Sequence, residues 1–158
     1  MTTADFTRAI TTGITANFIT ARTAARQMIK QGSGVILALD SGSAQQSPMM
    51  GSTGPTDAAI DSFIRNLALE AGPSGVRALG LWVAGIPETF SPDKLAAVNS
   101  EMQLDEAAMA GLLEQLAAMR ILRRSPSLAE VAAMAAFVVS DRTSLTGTFL
   151  NATGMFAG

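Results

Sequence analysis

The chain has 158 residues, 48% of them hydrophobic and only 15% charged, with a net charge of −2. It is long enough for one domain with its own core, and too apolar for a disordered segment. Cysteine, histidine and tyrosine are all absent, which excludes disulfides, thiolate and imidazole chemistry, cysteine-bound metal and any phenolic proton donor.

Asp, Glu, two lysines (Lys30 and Lys94), nine arginines, Ser and Thr are left to do chemistry, so a metal site would be all-oxygen. A pI of about 5.0 provides no general attraction for nucleic acid or an anionic membrane. The opening Met1-Thr2-Thr3-Ala4-Asp5 has no basic stretch followed by an apolar one, so no secretory signal is expected. No apolar run reaches the ~20 residues of a membrane span. The expectation is a cytoplasmic protein with neither nucleic-acid nor membrane partners. The low charge also predicts either an apolar surface or a surface covered by a partner.

In chain order, residues 5–31 predict one long helix. Phe6, Ile10, Ile14 and Phe18 recur every four residues, Ala21, Ala25 and Met28 continue the stripe, Thr2 or Thr3 can cap the start, and Gly32 can stop the end. Gly34 to Asp40 is apolar without alternation, the pattern of a strand buried on both faces. A Ser/Gly loop follows, then a helix predicted from Pro55 to about Ala71, with Ile60, Phe63, Ile64 and Leu67 inward. Val76 to Val83 predicts a second buried strand. Helices are expected after Ser91-Pro92 and over about 105–119. Ser127 and Glu130 have capping-box spacing ahead of a further helix, and Thr148 to Asn151 predicts a third strand. Helices alternating with buried strands mean α/β layering with right-handed crossovers, in a single domain over 1–158.

With these elements placed, nearly the whole chain resembles the C-terminal half of the short-chain dehydrogenase/reductases. Phe6 to Met28, with Arg22-Thr23-Ala24-Ala25-Arg26, is similar to that family's fourth long helix. Gly32-Ser33-Gly34-Val35-Ile36-Leu37 is similar to the strand leading to its catalytic serine, and Ala58 to Phe63 with Leu67 to Glu70 to the helix after its Tyr-x-x-x-Lys. Gly75-Val76-Arg77, Ala129 to Ala132, Phe137 to Asp141 and Thr146-Gly147-Thr148 complete the series. The resemblance implies a partial Rossmann fold: the C-terminal half of a doubly wound parallel sheet with flanking helices, in three αβα layers. The family's N-terminal dinucleotide-binding βαβ unit, with its glycine-rich turn, has no counterpart here. NAD(P) is therefore implied only if that half is supplied, and no cofactor is expected for this chain alone.

The resemblance also implies where a site would lie. Ser41 matches the family serine. Gly13 stands where the family has Asn, Thr53 where it has Tyr, and Asp57 where it has Lys. An aliphatic hydroxyl is a far weaker acid than a phenol, and a neighbouring carboxylate opposes ionisation where an ammonium favours it. Reduction by the chain alone is therefore not expected. Gly85 and Thr89 match the segment that meets the nicotinamide end of the cofactor.

Plainer readings stand beside these. Ser41 fits turn chemistry, Asp57 fits a helix's first turn, and Arg120, Arg123 and Arg124 fit a helix C-terminus. Asp40 with Asp57 forms an acid/base pair if the loop folds back, which would suit a lyase or isomerase using Ser41. Met49-Met50 would line an apolar pocket. The expected partners are a second copy, through the helices at 5–31 and 55–71, or a complementary N-terminal half at the open strand edge.

Overall fold

The computed structural model describes residues 1–47, 50–98 and 104–155. Helix α1 spans Thr3–Gln31. The Thr2 hydroxyl accepts from Asp5 N–H at its start, and Gly32 closes its end in the left-handed conformation. Strand β1, Gly34–Asp40, leads through the loop into α2, Thr53–Ala71. Strand β2 is Val76–Trp82, α3 Pro92–Val98, α4 Glu106–Ala118, α5 Leu128–Val139 and β3 Phe149–Asn151. At the head of α5, Ser127 and Glu130 form the full capping box that their spacing predicts.

All three strands are parallel, in the order β1-β2-β3, so β1 is an edge. The register sets Ile36 beside Ala78 and Asp40 beside Trp82. Alternation then sorts the two faces. Ile36, Ala38, Val76, Ala78 and Phe149 pack with Ile60, Ile64, Ala68 and Ala71 of α2 and with Ala21 and Ala25 of α1. On the other face Leu79 and Leu81 meet Val138, Met134 and Ala135 of α5. The result is the expected three-layer α/β arrangement. Arg77 locks α5 to the sheet, donating to the carbonyls of Val138 and Ser140 at the helix end and to Leu145.

Three expectations need correcting. β1 is buried on one face only: Ile36, Ala38 and Asp40 are covered, whereas Leu39 is 60% exposed, because α5 reaches only as far as Val35 and Leu37. The stripe of α1 is buried at Ala21 and Ala25, yet Phe18 remains 46% exposed. A helix of 29 residues is about 43 Å long, nearly twice the length of the seven-residue strand it backs. Finally, α2 starts at Thr53, two residues before Pro55, with Ser52 as an N-cap that makes no side-chain bond. Proline is tolerated there because the N–H groups of a first turn have no helical partner in any case.

Candidate functional site

The site grows from the C-terminal end of β1. Asp40 stays in the sheet frame, its carbonyl accepting from Val83 N–H at 2.7 Å. The chain then turns at Gly42, whose φ of +72° suits glycine, and an added Cβ there would come within 3.0 Å of the Trp82 side chain. This turn lays Ser41 and Ser43 against α2. One oxygen of Asp57, Oδ2, accepts from Ser41 N–H at 3.2 Å, from the Ser41 hydroxyl at 2.6 Å and from Ser43 N–H at 3.0 Å. The two serine hydroxyls are 2.6 Å apart. An ionised carboxylate only accepts, so Ser41 donates to Asp57 and Ser43 donates to Ser41. Ser43 and Asp57 are buried and Ser41 is half-buried.

Asp57 therefore does not sit in the first turn of α2 offering its charge to the helix dipole. The earlier helix start moves it into the second turn, and it acts as the anchor of the loop.

A second carboxylate pair lies beside this anchor. Asp61, one turn further along α2, accepts from the Trp82 indole N–H at 3.3 Å and lies 3.5 Å from the Arg65 guanidinium. Asp40 accepts from Gly42 N–H at 2.8 Å through Oδ1, while Oδ2 is sealed from solvent with no hydrogen-bond partner. Burial raises the Asp40 pKa to about 8; the Gly42 bond opposes this, and the charges of Asp57 and Asp61, with a hydrogen bond that protonated Asp40 can give Asp61, add to it. The surroundings thus favour the neutral, protonated form of Asp40. The expected proximity of Asp40 and Asp57 is found, joined by Asp61 and Ser43, which the sequence reading did not single out. The signal for Asp61 was present: Asp57 and Asp61 are four apart on the same stripe as Ile60 and Ile64, where a solvated carboxylate has no place.

The remaining predicted residues are engaged elsewhere. The Thr53 hydroxyl donates to the Met50 carbonyl at 2.9 Å, within its own turn. The Thr89 hydroxyl donates to Ile86 O at 2.8 Å. Gly85 has a φ of +63° and its carbonyl accepts from Arg120 at 3.1 Å; an added Cβ would fall 2.4 Å from that guanidinium. Arg120 is only 1% exposed and also donates to the carbonyls of Thr153, Leu116 and Ala84. Burial lowers its pKa from the ordinary value. It fastens chain segments together, well beyond the end of its own helix. Arg124 pairs with Glu130 instead, at 2.7 Å.

Four cavities lie outside this cluster. One of about 200 Å³ is lined by Arg120, Arg124, Val131, Met134 and Ala152. Another, of about 220 Å³, follows the outer edge of β1 past Ala24, Met28, Val35 and Leu37. A third, of about 360 Å³, lies between α1 and α2 at Phe18, Arg22, Phe63 and Leu67. A fourth, of about 250 Å³, involves Met1 to Thr3 and Phe6. Asp40, Ser41 and Asp57 line none of these four. Met50 is 54% exposed, and Met49 lies outside the described residues.

Among the described residues no group of three or more acidic side chains is arranged to hold a metal, and no helix is long and apolar enough to cross a membrane. The groups offered to a nicotinamide at Gly85 and Thr89 are already taken by Arg120 and Ile86.

Comparisons with known proteins agree with this architecture. A family model described as enoyl-(acyl carrier protein) reductase matches residues 1–154. No curated protein matches the chain in sequence. Among solved structures, a 7α-hydroxysteroid dehydrogenase complexed with NADH and 7-oxo-glycochenodeoxycholic acid is 27% identical, with a TM-score of 0.76 over 98% of this chain and 56% of that one. An NAD⁺-bound xylitol dehydrogenase is 23% identical, with a TM-score of 0.77 over 97% and 60%. A short-chain type dehydrogenase/reductase from Mycobacterium ulcerans is 24% identical, with a TM-score of 0.72 over 97% and 52%. The chain thus spans between about half and three-fifths of the length of these structures. A family match over almost every residue, on a parallel sheet layered between helices, makes this chain a member of the short-chain dehydrogenase/reductase family.

Proposed function

We propose that this chain is a reductase-family module that binds and assembles through the family scaffold and does not reduce a carbonyl by itself. The Asp57 anchor supports this reading above all. A carboxylate stands where the resemblance places a lysine, and it accepts the Ser41 hydrogen bond that a substrate carbonyl would need. Thr53, at the tyrosine position, spends its hydroxyl on Met50 O. A site that reduces a ketone must supply a proton to the developing alkoxide, and here both hydroxyls point at internal acceptors. Calorimetric titration with NADH and NADPH, alongside a ketone-reduction assay, tests this. The expected result is no saturable binding and no turnover. Micromolar NADH affinity with steady ketone reduction overturns the proposal.

A second observation favours assembly. Phe18, Ile19 and Ile29 of α1 are exposed by 46%, 57% and 42%, next to the α1–α2 cavity edged by Phe63 and Leu67. We place a second copy on this face, with the outer edge of β1 left for a complementary strand-bearing half. Light scattering after size exclusion tests the first partner: a dimer or larger species is expected, and a monodisperse monomer at micromolar concentration refutes it.

A further inference from the structure

The three acids at the end of β1 have a consequence that no oxidoreductase chemistry requires. Asp40, Asp57 and Asp61 are 9%, 6% and 4% exposed, and they share very little compensating charge. From α2, Asp57 and Asp61 face Asp40, and the Arg65 guanidinium reaches Asp61 Oδ2 at 3.5 Å with a half-exposed side chain. From β2 comes the neutral indole of Trp82. The loop contributes amides and hydroxyls but no charge. Helix α1 adds none either: Asp5 pairs with Arg8 at its start, Arg22 lies over the Phe18 ring, and Arg26 and Lys30 are exposed.

We propose that these three carboxyls form a proton-operated latch, in which one proton held by Asp40 keeps the Ser41–Ser47 loop against α2 and its loss releases the loop.

The geometry supplies each part. With Asp40 neutral, its buried carboxyl can share its proton with Asp61, and Asp57 is free to hold Ser41 and Ser43. With Asp40 ionised, a buried oxygen that accepts no bond becomes a third negative charge in the cluster. The sheet end cannot yield, because Val83 N–H pins the Asp40 carbonyl. The hinge is the next residue pair, Ser41-Gly42, with Gly42 already in a left-handed turn. Lifting the loop lets water reach Asp40 and costs three bonds, all to one oxygen of Asp57. The proton involved titrates near pH 8. Ser41 lies on the moving segment, so the latch would govern exposure of the candidate site whether or not that site turns anything over.

Amide exchange by NMR on the full chain tests the latch, because the N–H groups of Ser41 and Ser43 are its tethers. Trp82, the sole tryptophan, bonded to Asp61, serves as the fluorescent reporter. Between pH 6 and 9.5, protection of both amides, corrected for intrinsic base catalysis, should fall at least tenfold with a midpoint near 8. Trp82 emission should shift with the same midpoint while far-UV circular dichroism stays constant. Asp40→Asn should hold the loop down throughout. Asp61→Asn, which removes one neighbouring charge and keeps an acceptor for the indole, should move the midpoint to lower pH. Constant protection across the range overturns the proposal, as does the same loss in Asp40→Asn, or loss of circular dichroism together with protection. If Asp40→Asn does not fold, Asp61→Asn decides, and an unmoved midpoint refutes the latch.

Discussion

Removing the Asp57 anchor is the most direct perturbation of the site. In Asp57→Ala, three donors lose their acceptor at once: Ser41 N–H, the Ser41 hydroxyl and Ser43 N–H. Ser43 is 6% exposed, so its amide carries the full cost of an unsatisfied buried donor, roughly 1–3 kcal/mol. The two Ser41 donors are half-buried and recover part of their loss from water. Together with the relief of one negative charge beside Asp40, this gives a net destabilisation of about 3 kcal/mol. Asp57→Asn keeps an acceptor but gives up the charge that strengthens each bond, and should cost about 1–2 kcal/mol. Urea unfolding at pH 7, followed by Trp82 fluorescence and circular dichroism with an unchanged m-value, measures both variants. A loss under 1 kcal/mol for Asp57→Ala would refute the anchoring role. So would Asp57→Asn proving as damaging as Asp57→Ala, since the account rests on acceptor geometry first and charge second.

Other outcomes follow from the same structure. Asp40 has a folded pKa of about 8 against an ordinary value of 3.8, so the folded chain retains a proton that the unfolded chain releases between those pH values. The sign is then fixed: this contribution is greatest below pH 4 and is lost as pH rises towards 8. Asp40→Asn should raise stability at pH 7 by up to about 4 kcal/mol and flatten the pH profile, as read by thermal melts. Arg120→Lys should destabilise by about 3 kcal/mol, because an ammonium cannot reach the Thr153, Leu116, Ala84 and Gly85 carbonyls together. A chemical denaturation curve within 1 kcal/mol of the unaltered chain would contradict that. Glu130, held down to about 2 by Arg124 and by Ser127 N–H, should show its NMR carboxyl titration near that pH, moving upward in Arg124→Ala. Its share of stability is therefore kept above pH 4.5 and lost only on strong acidification.

Much of the architecture was legible because it depends on local chemistry. The Thr2 cap, the Gly32 stop, the Ser127–Glu130 box and the apolar strands appear where hydrogen-bonding and burial patterns put them. The coverage of the faces was less legible, since a run such as Val35-Ile36-Leu37-Ala38-Leu39 does not reveal whether a neighbour will arrive to cover its second side. The site was legible only in outline. Ser41 and Asp57 were identified, but their bond spans 16 positions and depends on the turn at Gly42. The fate of Arg120 was hidden for the same reason: its acceptors are main-chain carbonyls, which have no residue-type signature.

That arginine has a bearing on how the molecule comes apart. Its partners at Ala84 and Thr153 lie 36 and 33 positions away, on either side of it in the chain. Contacts of such long range assemble only after the crossovers have closed, late on the folding route. Interactions absent from the transition state slow escape from the native basin without hastening arrival. Arg120 should accordingly act as a kinetic fastener, and altering it should raise the unfolding limb of a chevron plot while the refolding limb stays nearly unchanged.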